Sequence, residues 1–155
     1  MTMSVILQGD QTRTILLGSK VDRATAALPQ TTQSALFTVA GGRVIITSIV
    51  GEVTTVIQTQ ANNTKIVSNP TTGTDVDLCA VLDITADQVG CLYGITGLFS
   101  DAMVGANAGA TVLPRNPVVV AAGTIDLSCA ASNTGSVKWS VTYIPLDNGA
   151  SVTAA

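Results

Sequence analysis

Four aspartates in the middle of the chain are the residues best suited to chemistry. Asp75 and Asp77 lie on either side of Val76, so on a β-strand both carboxylates would point to the same face, and Asp83 and Asp87 flank a turn signal. Paired carboxylates can hydrolyse glycosides or bind Ca²⁺. Glycosidase clefts usually offer aromatic platforms as well, and this chain has one Trp, two Tyr and two Phe. We therefore interpret Asp75 and Asp77 as part of a solvated face, with Ca²⁺ binding as the alternative.

The remaining reactive residue types form no recognisable site. The chain contains no histidine, which excludes Ser-His-Asp and Cys-His catalysis and His-ligated zinc. Cys79, Cys91 and Cys129 stand at separations that match no zinc spacing. We interpret Cys79 and Cys129 as small core residues, and a disulfide is the alternative. The Gly18-Ser19-Lys20 sequence lacks the upstream glycine of a phosphate loop. We expect no catalytic, cofactor-binding or metal-binding residues, and hence no enzyme.

The composition favours an assembly over a freely diffusing catalyst. A length of 155 residues predicts a single domain, residues 1–155. Hydrophobic residues make up 46% of the chain and charged residues 11%, where an average soluble domain has about 25% charged residues. So few charges leave little with which to solvate a surface. Such a chain is easier to understand when part of its surface is covered by other subunits.

Charge and hydropathy also exclude two classes of partner. The net charge is −3, and the seven Lys and Arg residues are scattered except for a loose group between positions 13 and 23. A phosphate-backbone binder needs a basic face, so we expect no nucleic-acid partner. No apolar run approaches the roughly 18 residues of a membrane helix, so we expect no membrane partner. An odd cysteine count without an N-terminal signal run predicts folding in a reducing, cytoplasmic compartment.

The sequence around these residues predicts β-strands. The stretch from Ala35 to Gln60 is rich in Val, Ile and Thr and contains Gly41-Gly42, a pattern that predicts a central β-hairpin. Its segment from Val44 to Val50 is apolar on both faces. A strand of that kind needs cover on both faces, so we expect this segment at the middle of the subunit or against a sister subunit.

The rest of the chain adds strands and loops. Alternation in the C-terminal third predicts strands in which Trp139 is a core residue. Together the turn signals predict eight to ten strands and little helix, hence an all-β, antiparallel β-sandwich, with a jelly roll as one form of it. The other predicted segments are an N-terminal arm or edge strand at 1–12, a strand at 13–21, a loop with weak helical character at 22–34, a strand at 76–82 and a long loop at 97–114.

Three stretches carry a resemblance to a known group of proteins: GGRVIITSIVGEVTT, NPTTGTDVDLCA and PVVVAAGTIDLSCAASNTGSVKWSVTYIPLDNGASVTAA. With them the chain resembles small virion proteins of tailed bacteriophages, and it is most similar to head decoration, or cement, proteins. The resemblance covers residues 35–155 and rests on structural motifs, so it carries over no catalytic residues. The start of the chain is shorter than the flexible arm of the lambdoid head-stabilising type.

The resemblance implies a role in the virion. It implies a β-rich homo-oligomer, with a trimer favoured over a dimer, that is made in the host cytoplasm and binds the major capsid protein on the capsid exterior. We expect the N-terminal residues or the loop at 97–114 to touch the shell. One alternative is another phage structural or receptor-binding module, such as a tail or fibre protein. A carboxylate-dependent hydrolase that uses Asp75 and Asp77 is the other.

Overall fold

The fold is known from a computed structural model, which describes residues 4–155. Within that range the chain forms one α-helix and eleven β-strands. The elements in chain order are α1 Gly9–Leu17, β1 Ser19–Ala27, β2 Gln33–Ala40, β3 Val44–Thr55, β4 Asn63–Pro70, β5 Val76–Asp77, β6 Leu82–Asp83, β7 Leu92–Tyr93, β8 Val118–Val120, β9 Gly123–Cys129, β10 Ser136–Pro145 and β11 Ser151–Ala154.

The strands form two antiparallel sheets that pack face to face. Sheet A has the order β1-β10-β3-β7, with β8 also paired to β3. Sheet B has the order β11-β2-β9-β4-β5, with β6 also paired to β4. The predicted antiparallel β-sandwich is therefore confirmed, and the number of strands is slightly higher than expected because several of them are only two or three residues long.

The strand pairing is nested along the chain. β1 pairs with β10, β2 with β9, β3 with β7 and β8, and β4 with β5 and β6. The chain thus folds back on itself as one long double strand that rolls up into two sheets, which is the arrangement of a jelly roll. The pairs that join the two ends of this double strand, β1 with β10 and β2 with β9, connect residues distant in sequence, such as Ser19 and Tyr143.

The predicted central hairpin is wrong. β2 belongs to sheet B and β3 to sheet A, so the chain crosses between the sheets at Gly41-Gly42 and the two strands do not pair. The glycines are needed there because both have positive φ angles, +76° and +140°, and because a Cβ on Gly41 would collide with the carbonyl oxygen of Gly149. A local Gly-Gly signal shows that the chain turns, but it does not show which strand becomes the partner.

The segment at 13–34 also differs from prediction. The predicted strand at 13–21 is wrong in its first half, because helix α1 continues to Leu17 and ends at Gly18, which has a φ of +88°. The predicted loop at 22–34 is largely strand, since β1 runs to Ala27 and pairs with β10. Alanine-rich sequence favours helix locally, and here the hydrogen bonds to β10 override that preference.

Three further segments lie outside the long strands or at the end of the chain. The predicted strand at 76–82 is interrupted, because strand structure is confined to β5 and β6 at its ends. The loop at 97–114 is confirmed as irregular, apart from single-residue bridges at Ala102 and Val104. The C-terminal tail is docked, because β11 pairs with β2.

The core is built around a ring pair that a glycine makes possible. Trp139 and Tyr93 both lie opposite Gly51 in sheet A, and their rings stack with centroids 6.3 Å apart. A Cβ on Gly51 would stand 2.8 Å from the Trp139 ring. The prediction of Trp139 as a core residue is confirmed, and Val44 to Val50 lies in a central strand of sheet A, as expected for the middle of the subunit.

Candidate assembly surface

The N-terminal segment of the described chain presents apolar side chains to solvent. Residues 4–17, which we call the arm, comprise five irregular residues and helix α1, and the helix buries none of its residues. The arm exposes five large aliphatic side chains by 55% to 86%: Val5, Ile6, Leu7, Ile15 and Leu16. The predicted edge strand is wrong for residues 4–12, and residues 1–3 lie outside the described part of the chain.

The helix is held locally and at one end. The Gln8 backbone N–H donates to Gln11 Oε1 at 2.9 Å, which caps the helix start. At its other end the hydroxyl of Thr47 on β3 donates to the Leu17 carbonyl. A nine-residue helix without a buried face is only marginally stable in water. The arm is therefore a segment that gains stability when another surface covers it.

A second apolar surface lies on the outer face of sheet A. Ile45 on β3 stands opposite Ile144 on β10 and opposite Val119 on β8, so three branched side chains form one row across three strands. Val119 and Ile144 are exposed and Ile45 is half-buried. The row lies beside the arm, because Gly18 packs against the backbone of Tyr143 and the side chain of Ile144. We call Ile45, Val119 and Ile144 the outer row.

The loop at 97–114 exposes a third group of apolar side chains. Its backbone runs beside β7 and the residue that follows it, since the Leu92 N–H donates to the Ala108 carbonyl at 2.8 Å and the Gly94 N–H to the Val104 carbonyl at 3.0 Å. Four large side chains of the loop are exposed: Leu98, Phe99, Val112 and Leu113. Both segments that the sequence suggested as contacts with a shell therefore carry exposed apolar residues.

The aspartates considered for chemistry do not converge on one site. Asp77 pairs with Lys65 at 2.6 Å, whereas Asp75 accepts a hydrogen bond from Gln33 Nε2 at 3.1 Å; both aspartates are exposed. Asp83 is held by the Thr85 hydroxyl and by the Thr85 and Asn62 N–H groups, and these hydrogen bonds, that of the hydroxyl foremost, lower its pKa. Each of the three is engaged in local structure.

Asp87 differs, because it is buried. It is 2% exposed and accepts a hydrogen bond from the Tyr93 hydroxyl at 2.6 Å. Burial, together with this carboxylate, raises the pKa of Tyr93 well above its ordinary value. The tyrosine therefore stays protonated as the donor. The pair fastens the turn at residues 84–90 to the ring stack in the core.

The cysteines are buried free thiols. Cys79, Cys91 and Cys129 form no disulfide with one another, and burial raises the pKa of each thiol. A protonated, inaccessible thiol is a poor nucleophile. The interpretation of Cys79 and Cys129 as core residues is confirmed, and Cys91 shares that environment.

One cleft on the outer face of sheet A is large enough for a small molecule, with a volume of about 380 Å³. Most charged side chains that line the cleft form ion pairs with one another: Lys20 with Asp22 at 2.7 Å and Lys138 with Glu52 at 2.9 Å. Arg23, the remaining cation of the lining, donates to the Ala155 carbonyl oxygen at 3.3 Å. The lining thus presents paired surface charges without a nucleophile and base in contact.

Within residues 4–155, no group of three or more His, Cys, Asp or Glu side chains has an arrangement that could hold a metal ion. No helix in the same range combines the length and apolarity needed to cross a bilayer.

Comparisons with known proteins returned no relatives. No protein-family model matches the chain, and neither the curated proteins nor the solved structures include a significant match.

Proposed function

We propose that this protein is a bacteriophage head decoration, or cement, protein, which binds the outer surface of the capsid as a homo-oligomer and stabilises the shell. The arm, residues 4–17, carries the proposal, because it exposes five large aliphatic side chains and its helix buries nothing. Residues 35–155 resemble decoration proteins, and this resemblance indicates the capsid shell as the binding partner and favours a trimer over a dimer.

The energetics of the arm fit binding through several copies. Complete burial of a Val, Leu or Ile side chain contributes about 1.5–3 kcal/mol, so complete burial of five contributes about 7.5–15 kcal/mol. Association costs an estimated 4–15 kcal/mol, which leaves a single arm with weak affinity. An oligomer that presents several arms at once converts weak contacts into tight binding through effective concentration. Symmetric shells offer repeated sites with matching spacing.

The outer row supports self-association. Ile45, Val119 and Ile144 are adjacent branched side chains on a sheet face, and interfaces between permanently associated subunits are more apolar than the rest of a protein surface. With 11% charged residues, the chain has few groups that would oppose such an interface. The arm then contacts the shell and the outer row contacts a sister subunit.

Binding to shells tests the role of the arm. The full-length protein is added to phage shells from which it has been stripped, and the bound fraction is measured by sedimentation. We expect saturable binding, and we expect the double variant I15D/L16D to bind at least 100-fold more weakly, because two apolar contacts are lost and two charges are placed in the interface. The matched control V81D/V89D adds the same charges at exposed valines elsewhere and should bind like the parent.

The oligomer is tested separately. Light scattering on the purified protein at micromolar concentration should give the mass of a trimer or a dimer. A well-folded monomer under these conditions would contradict self-association, and a shell that does not retain the protein would contradict decoration. Location of the subunit on the tail in images of intact virions would also contradict it.

A further inference from the structure

A buried carboxylate on the outer face of sheet B lacks a full set of partners. Asp126 lies between Ile125 and Leu127, both core residues, so its own side chain points to the opposite face of β9. It is nevertheless only 4% exposed. Its Oδ2 accepts hydrogen bonds from Gln33 Nε2 at 2.8 Å and from Asn69 Nδ2 at 3.2 Å. Its Oδ1 is fully buried and receives no hydrogen bond from any group in residues 4–155.

The charge of this carboxylate is also unbalanced. Within residues 4–155 neither Asp126 nor Asp75 has a lysine or arginine nitrogen within 4.0 Å, and the neighbouring cation, Lys65, is engaged by Asp77. A buried carboxylate without a cationic partner is costly. A bound cation would remove that cost and would supply Oδ1 with a partner.

The neighbours of Asp126 are the groups a hard cation prefers. Gln33 Nε2 lies 2.8 Å from Asp126 Oδ2 and 3.1 Å from Asp75 Oδ2, so one atom already bridges two carboxylates. Gln33 and Asn69 each carry an amide oxygen that a half-turn of the terminal amide brings to the position of its nitrogen. Ca²⁺ takes carboxylate and amide oxygens at about 2.3–2.6 Å in flexible geometry and fills its shell with water.

We propose that Asp75 and Asp126, with the amide oxygens of Gln33 and Asn69, bind a divalent cation of the Ca²⁺ class. The ion lies between the carboxylates of Asp75 and Asp126, which the Gln33 amide now bridges, and it joins the exposed 71–75 loop to the central strand of sheet B. Mg²⁺ fits less well, because it requires near-octahedral geometry and dehydrates reluctantly. The site contains two carboxylates and two amides, so it differs from a cluster of three or more His, Cys, Asp or Glu ligands, of which residues 4–155 contain none. It is independent of the proposed function.

Calcium titration of the full-length protein tests the site. The protein is stripped with a chelator, and thermal unfolding and calorimetric binding are followed as CaCl₂ is added, with MgCl₂ as the comparison. With a dissociation constant near 10⁻⁴ M, as in extracellular Ca²⁺ modules, 5 mM Ca²⁺ should raise the unfolding temperature by about 5 °C or more. Mg²⁺ should raise it by less.

Three single variants locate the response. D126N and D75N should each weaken Ca²⁺ binding at least tenfold and remove most of the rise in unfolding temperature. D77N is the matched control, because Asp77 lies on the same strand edge but pairs with Lys65, and its response should equal that of the parent. Asp75 is exposed, so D75N keeps the test informative if D126N does not fold.

Two results would overturn the proposal. The first is a parent protein whose unfolding temperature and heat of binding do not respond to Ca²⁺, because the site would then not bind the ion. The second is an equal Ca²⁺ response in the parent, D75N, D126N and D77N, because the ion would then bind elsewhere.

Discussion

The ring stack in the core and the N-terminal arm contain similar apolar residues in opposite situations. Around Gly51, Trp139 and Tyr93 are covered by each other and by both sheets, and the buried Asp87 satisfies the Tyr93 hydroxyl. In the arm, Ile15 and Leu16 are 67% and 71% exposed and contribute nothing to the core. The stability of the fold therefore resides in the sandwich, whereas the apolar side chains of the arm are left for the proposed contact with a shell.

Removal of the indole should have the largest effect on folding. We expect W139A to destabilise the subunit by about 3–5 kcal/mol, because it leaves a cavity against Gly51 and removes the stacking partner of Tyr93. Denaturant unfolding measures this loss. The control L146A truncates an exposed side chain and should change the unfolding free energy by less than about 0.5 kcal/mol. A tolerated W139A would show that the ring stack is not the centre of the core.

Removal of one hydroxyl from the same stack should cost less. We expect Y93F to destabilise by about 1–3 kcal/mol, because the buried Asp87 carboxylate loses its donor while the ring stays in place. Y143F is the control, since within residues 4–155 the Tyr143 hydroxyl forms no hydrogen bond with another side chain. Equal unfolding free energies for the two variants would contradict a role for the Tyr93–Asp87 bond.

An exposed ion pair at the crossing between the sheets should have a smaller, pH-dependent effect. The Arg43 side chain and backbone N–H donate to Asp147, and these hydrogen bonds, those of the side chain foremost, lower the Asp147 pKa from 3.8 to about 2. A lowered carboxyl pKa stabilises the fold above pH 3.8, and this contribution is lost as the pH falls towards 2.

Thermal unfolding as a function of pH checks the role of Asp147. D147N should unfold at a lower temperature than the parent at neutral pH, and the gap should close between pH 4 and pH 2, where the parent carboxylate becomes protonated. A gap of the same size at pH 2 would assign the effect to packing against Gly42 and not to charge.

Substitution in the arm should have the smallest effect on folding. We expect I15D/L16D to change the unfolding free energy of the isolated subunit by less than about 0.5 kcal/mol, because both side chains are exposed. The measurement is made at a concentration where the parent is dissociated, so that loss of association does not contribute. A marked loss of stability would show that the arm contributes to folding, as the core does.

The sequence was sufficient for the class of fold because alternation along a strand reports burial directly. Trp139, Val137 and Val141 alternate with polar residues in the sequence and face the core in the structure. The identity of the strand with which each strand pairs leaves no such local pattern in the sequence. Gly41-Gly42 predicts a turn both in a hairpin and in a crossing between sheets, and only the assembled roll places β2 beside β9. The helix at Gly9–Leu17 was missed for a related reason, since its apolar residues bury nothing and show no clear period.

For the candidate sites as well, the sequence does not show which distant segments the fold brings together. Exposed apolar residues in the arm and in the loop at 97–114 could be suspected from composition and position. The neighbourhood of Asp126 could not be, because Gln33, Asn69 and Asp75 come from three separate segments that only the pairing of β2, β9 and β4 brings together. The sequence pattern grouped Asp75 with Asp77 as paired carboxylates. In the fold, Asp77 forms an ion pair with Lys65 instead.

The nested pairing has a consequence for biosynthesis. Since Ser19 at the start of β1 lies opposite Tyr143, β1 leaves the ribosome long before β10, its neighbour in sheet A, has been made. Such distant closure is slow and cannot occur until β10 has emerged. The apolar arm that precedes β1 therefore emerges from the ribosome long before the sandwich has folded. Aggregation of the nascent chain must be prevented until the roll has closed.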